Sequence, residues 1–193
     1  MTTLRERVAG ERRRLKAVRE AMTTAVGRKS KGDSTFVRFY VAVADYIETS
    51  MGRLHAQDVK MGDMIRTKLG KLDAQAEQAL RELDERLAGN QEHLKSLVAA
   101  RQALATGGAA SLGQSLGQSL ERFESVSAAY SHYIVTNMGH HGATTDLAGR
   151  LFTTADWDYM AGVTDEETRV EQQLYARVFA SLPATLEDLR PAG

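Results

Sequence analysis

The sequence predicts an all-α protein, an up-down four-helix bundle with an additional N-terminal helix. Apolar residues recur at spacings of three and four over long stretches, which is the period of a helix. Ala, Leu, Glu, Arg and Gln are abundant, and these residues lose little freedom in a helix. Only two prolines occur in 193 residues, both after residue 182. A chain of this length has room for one well-buried core.

Helix 1 is expected over residues 3–26. Its stripe is Leu4, Val8, Leu15, Val18, Met22 and Val26, narrow and flanked by arginines. Such a helix lies on a bundle or pairs with another chain. The polar stretch around Gly27 to Ser34 reads as a linker. Helix 2 starts at Asp33 or Ser34, either a good N-cap, and stops at Gly70. Its seam runs Phe36, Tyr40, Val43, Ile47, Ser50, Leu54, Asp58, Met61, Ile65. Helix 3 covers residues 72–105 with the heptad seam Leu80, Leu83, Leu87, Asn90, Leu94, Leu97, Arg101, Leu104. A single buried amide such as Asn90 can fix register, Gly89 loosens the helix there, and His93 reads as a surface residue.

After the turn at 105–110, the repeat SLGQSLGQSL leads into helix 4, expected to reach Leu151. Its seam is Phe123, Ser127, Tyr130, Ile134, Asn137, His141, and Gly139 and Gly142 mark a bend or a close approach. A short turn at 155–160 carries Trp157, Tyr159 and Met160, read as a core plug. Thr164 and Glu167 have the spacing of a capping box and open helix 5, over 165–182, with seam Val163, Glu167, Val170, Leu174, Val178. The expected organisation is an N-terminal helix (1–27), a linker (28–33), a bundle (34–182) and a flexible tail (183–193).

Net charge is zero, so nothing draws the whole chain to nucleic acid or anionic lipid. The charge is uneven, however. Residues 1–33 hold ten Lys/Arg against four Asp/Glu, and residues 144–193 hold nine Asp/Glu against four Lys/Arg. This reads as solvated faces, or as two ends that dock on each other. The absence of Cys excludes disulfides, thiolate metal sites, iron–sulfur clusters and Cys nucleophiles. The first residues lack the apolar core of a signal peptide, and no run approaches the roughly 18 apolar residues of a membrane span. A cytoplasmic protein without nucleic-acid or membrane partners is expected. No Gly-rich phosphate loop, GxSxG elbow or ordered Ser/His/Asp set is present. Nothing selects a substrate.

Asp58, His141 and Glu167 stand at seam positions, where an unpaired polar group is expensive. A rise of about 1.5 Å per residue sets His55 level with 130–132, Asp58 with 133–137, and Glu167 and Glu171 with 141–146. His55, Asp58, His132, His141, Glu167 and Glu171 are therefore expected as one or two clusters, either a hydrogen-bonded network or a metal site. Imidazole with carboxylate suits iron, manganese or zinc, with Tyr130 or Tyr133 able to hydrogen-bond a bound ligand.

The chain resembles the hemerythrin-like, HHE-type cation-binding bundles. The likeness rests on His141-Gly-Ala-Thr-Thr-Asp146, which fits the family's His-x4-Asp motif. It rests also on the histidine in YIETSMGRLHAQD and on the four-helix plan over 34–182. The resemblance implies His141, Asp146 and His55 as ligands of iron, mono- or dinuclear, in a member with fewer or rearranged ligands, and oxygen or another small ligand as partner. The alternative is a metal-free interaction protein, using helix 1 or the bundle surface and including a homo-oligomer through helix 1. In that reading Glu167 is only the N3 residue of its capping box, and His140-His141 is ordinary surface polarity.

Overall fold

The N-terminal half of the second helix has too many apolar residues for one stripe, and the fold is arranged around it. In the computed structural model, residues 4–106, 115–137 and 142–191 are described. The side chain of Leu4, together with Leu112, Gly139, His140 and His141, lies outside the described residues. Among those described there is no strand, and no helix is long and apolar enough to cross a membrane.

The helices are α1 (Leu4–Arg28), α2 (Thr35–Leu69), α3 (Ala74–Ala105), α4 (Leu116–Asn137), α5 (Gly142–Leu151), α6 (Thr154–Ala161) and α7 (Asp165–Ala180), followed by a 3-10 turn (Ala184–Leu189). The all-α class and a bundle arrangement follow from these elements and their packing: α2 on α3, α3 on α4, α1 on both α4 and α2, and α7 on α2 and α1. Phe36, Phe39, Tyr40, Val43, Ala44, Tyr46 and Ile47 of α2 are all buried, which spans more than one face. Burial on several sides needs a cover on each side, and α1, α3 and α7 supply it.

The additional N-terminal helix is present and firmly packed. Val18, Met22 and Ala25 of α1 have no exposure and share one apolar cluster with α2, α3, α4 and α7. A second cluster lies further along the α2–α3 hairpin, where Met61, Ile65, Leu80, Leu83 and Leu87 meet Leu147, Ala148 and Phe152. Trp157 packs edge-on to Phe152 with ring centroids 5.2 Å apart, and Met160 joins the same cluster. Tyr159 does not. It is 64% exposed, and its ring lies 4.5 Å from the Lys60 ammonium.

The uneven charge of the two ends is spent on docking. Arg7 pairs with Asp165, Arg14 with Glu171, and Arg28 with Asp188 at 2.6 Å, so α1 and the C-terminal segment run side by side in the same direction. The segment after Pro183, expected to be a loose tail, winds into the 3-10 turn and buries Leu186 completely. That one leucine, held beside the Arg28 pair, gives the turn an apolar reason to stay down. Arg101, on the α3 seam, meets Asp45 at 3.1 Å and Glu48 at 2.7 Å on α2, and Arg177 of α7 meets the same Asp45 at 3.2 Å.

Local chemistry sets the helix ends. Gly70, at φ 64°, ends α2, and the Asp73 carboxylate accepts the Ala76 N–H at 2.8 Å to start α3. Two capping boxes, Thr153 with Asp156 and Thr164 with Glu167, open α6 and α7. In the first, Asp156 also takes the Lys68 ammonium at 2.9 Å, joining α6 to α2. That ammonium, helped by the Thr153 donors, holds the Asp156 carboxyl down to about 2. A depressed carboxyl stabilises the fold above its unfolded value, near ~4, and the contribution is lost as pH falls toward 2. The emission of Trp157, next in sequence, should therefore shift across that window. Asp156→Asn should show the acid-like emission already at neutral pH, and identical acid titrations of the two proteins would refute this.

Gly89 does not loosen α3. It admits a neighbour. The hydroxyl end of the Tyr133 ring lies against it, and that hydroxyl donates to the Arg86 carbonyl at 2.8 Å. A methyl at position 89 would sit 2.6 Å from the ring Cζ and closer still to the hydroxyl. His93, expected on the surface, is half-buried and lies against the other part of that ring, with centroids 4.6 Å apart. Gly89→Ala should lower stability by about 1–3 kcal/mol, because overpacking outweighs the roughly 1 kcal/mol gained in helix propensity. In a Tyr133→Ala background the same change should turn neutral or stabilising, and equal effects in both backgrounds would exclude the contact as the cause.

Candidate functional site

The stripe of α1 has a gap. Between Val8 and Leu15 it carries Glu11, Arg12, Arg13 and Arg14 and no large apolar residue. Glu11 and Arg14 turn inward to partners. Glu11 pairs with Arg53 of α2, and Arg14 grips Glu171 of α7 with Nε at 2.8 and 2.9 Å and Nη2 at 2.6 Å. The Tyr46 hydroxyl donates to the same carboxylate at 2.5 Å. Burial, reinforced by that carboxylate, pushes the Tyr46 phenol far above its ordinary value. The void between Arg7, Glu11, Arg53 and Glu171 is about 10 Å³, at the limit of what one water needs. This cluster is closed and fully engaged, and it ties three helices together.

The expected metal site is not assembled among the described residues. No group of three or more His, Asp or Glu side chains there could hold an ion. Glu171 is 3% exposed, and its oxygens are taken by Arg14 and Tyr46. Glu167 is exposed, with its carboxylate accepting from the Thr164 N–H at 2.8 Å and from the Thr164 hydroxyl at 2.7 Å. It belongs to its helix start. His132 and Asp146 are exposed on α4 and α5. His55 is half-buried on α2, with Nδ1 shut from solvent and without a partner among the described residues. His141 lies outside the described residues. The expected levels of Glu167 and Glu171 fail because α7 lies along α1 and α2, where Glu171 meets Tyr46, whereas α5 packs on α2 and α3. Among the described residues these donors do not come together as a ligand set for iron. Tyr133, one of the two hydroxyls expected to face a ligand, is committed to Arg86.

Asp58 stands near the level of α4 expected for it. It lines an open cleft of about 590 Å³ together with Ile134 and Val135. The cleft lies where the α1 stripe is thinnest. Its walls come from the first half of α1, the middle of α2, the end of α4 and the short helix α6. Met51, Leu54, Met61, Ile134, Trp157 and Met160 make it largely apolar. Val135, 69% exposed, stands at its edge. Arg12, Lys16 and Arg19 line it with one acid, Asp58. A second hollow of about 650 Å³ continues it past Arg12 and Trp157. Sites of this volume suit small molecules, and flexible methionines adapt to differing shapes.

Reasoning from the sequence missed Arg19 and the cleft methionines as site residues. The signal for the cleft was the seven-residue step from Val8 to Leu15, which leaves a turn of α1 without apolar cover. Comparison with protein-family models, with curated proteins and with solved structures finds no match to this chain.

Proposed function

We propose that this protein is a helical binding module that takes a small, largely apolar ligand in the cleft between α1, α2, α4 and α6. The observation that carries this reading is the cleft itself, about 590 Å³ with methionine, leucine and tryptophan walls. Its opposite in character, the Glu171 cluster, has no room for a ligand. The stripe of α1 that suggested an interaction arm is covered by the chain's own helices at Val18, Met22 and Ala25.

Trp157 is the single tryptophan and lines the cleft, so its emission reports occupancy. An uncharged probe, 1-decanol, should shift that emission saturably. Met160→Glu, which sets a carboxylate in the cleft wall, should weaken the response at least about tenfold, compared at a temperature where both proteins are folded. An unresponsive Trp157, or an identical titration in the variant, would reject the cleft as the binding site. Anaerobic iron loading of untagged protein should leave well under one equivalent bound. Stoichiometric iron, with a new absorption band in air, would return the hemerythrin-like reading to first place.

A further inference from the structure

Several inner arginines of this bundle have acidic partners, but Arg19, which lines the cleft, does not. Arg14, Arg53 and Arg101 each meet a carboxylate. Arg19 is half-buried, and among the described residues it forms no ion pair. Its Nε is closed to solvent and has no acceptor. Tyr130, fully buried behind the cleft wall, and Glu20 act on Arg19 electrostatically, but neither forms an ion pair with it. Burial lowers the Arg19 pKa and raises that of Tyr130, since both charged forms lose hydration there.

A half-buried guanidinium without an acidic partner is unfavourable unless an acceptor arrives. A guanidinium donor favours an anionic acceptor and can bind a carboxylate or phosphate through two parallel hydrogen bonds. Arg12 and Lys16 along the same wall add positive charge that Asp58 only partly offsets. Most of the rest of the lining, including Met51, Leu54, Met61, Ile134, Trp157 and Met160, is apolar. Resting on the reading of the cleft as a binding site, we infer that its ligand is a single-chain anionic amphiphile. The carboxylate or phosphate sits on Arg19, with Arg12 and Lys16 along the same wall, and the chain lies along Met51, Leu54, Met61 and Trp157.

The test is a Trp157 titration of the full chain with decanoate, decyl phosphate and 1-decanol, each below its micelle-forming concentration. Both the better anion and its margin over the alcohol are read. At least one anion should bind about tenfold or more tightly than the alcohol, since a hydrogen bond to a charged group contributes that much. Which anion leads identifies the headgroup as carboxylate or phosphate. Arg19→Gln should bring the anion down to the level of the alcohol and leave the alcohol unchanged. Arg19→Lys, which keeps the charge without the planar fork, should fall between, and it serves if the glutamine variant is poorly folded. Equal binding of all three probes would overturn the anionic headgroup while the cleft reading stands. An equal loss of all three in the Arg19 variants would overturn the assignment of Arg19. If none of the three binds, the cleft reading falls, and this inference with it.

Discussion

Glu171→Ala should lower the unfolding free energy by about 3–4 kcal/mol, a large part of what holds a domain of this size together. The carboxylate is almost wholly buried and accepts from Arg14 and Tyr46 at once. Removing it leaves a partly buried guanidinium without its counter-charge and a buried phenol without its acceptor. Glu171→Gln should cost less, because its amide oxygen can still accept from Tyr46. Replacing Arg14 and Glu171 together by methionine should cost much less than the two single changes added, because no charge is then left unpaired. Urea unfolding of the wild type, Glu171→Ala, Glu171→Gln, the two single methionine variants and their combination checks this. A Glu171→Ala loss under about 1 kcal/mol, or strict additivity in the methionine pair, would show that the cluster is not the clamp that geometry makes it.

Glu124→Ala should follow, at about 2–4 kcal/mol. This carboxylate lies inside the bundle, on α4. It accepts the Ser30 N–H at 2.7 Å and the Tyr40 hydroxyl at 3.0 Å. The turn it holds is a difficult one, with Lys29 at φ 56° and Lys31 at φ 52° on either side of Ser30, in the left-handed region that L-residues seldom adopt. The sequence gives no hint that α4 anchors the α1–α2 turn. Losing the acceptor leaves two buried donors without partners. Amide exchange at Ser30 should accelerate in Glu124→Ala and recover most of its protection in Glu124→Gln, which keeps an acceptor oxygen. Unchanged Ser30 exchange in the alanine variant would dismiss the anchor.

Much of the fold was legible because it depends on short-range rules. The α2 and α3 seams stand almost as periodicity placed them, from Phe36 to Ile65 and from Leu80 to Leu104. Helix ends at Gly70 and Asp73, and the capping box of Thr164 and Glu167, depend on residues within four positions of each other. The path expected for helix 4 is described as α4 and α5, on either side of residues 138–141, which lie outside the described residues. The candidate site was the least legible part. Glu167 and Glu171 are one helical turn apart, yet one caps its helix in solvent and the other is sealed among Arg14 and Tyr46. Periodicity assigns residues to faces, and it cannot say which distant helix each face will meet.

The sequence alone determined the all-α class, the length and limits of most helices, and the opposite charge of the two ends. It also contained the thin place in the α1 stripe. Tertiary structure decided that the two ends meet, that Arg14 finds Glu171 across 157 residues, and that the thin place opens as a cleft lined by Arg19. The physical reason is range. Propensity, capping and hydrophobic period act over a few residues of chain, whereas the pairing of a buried charge is fixed only when every helix has taken its rotation and depth against the others.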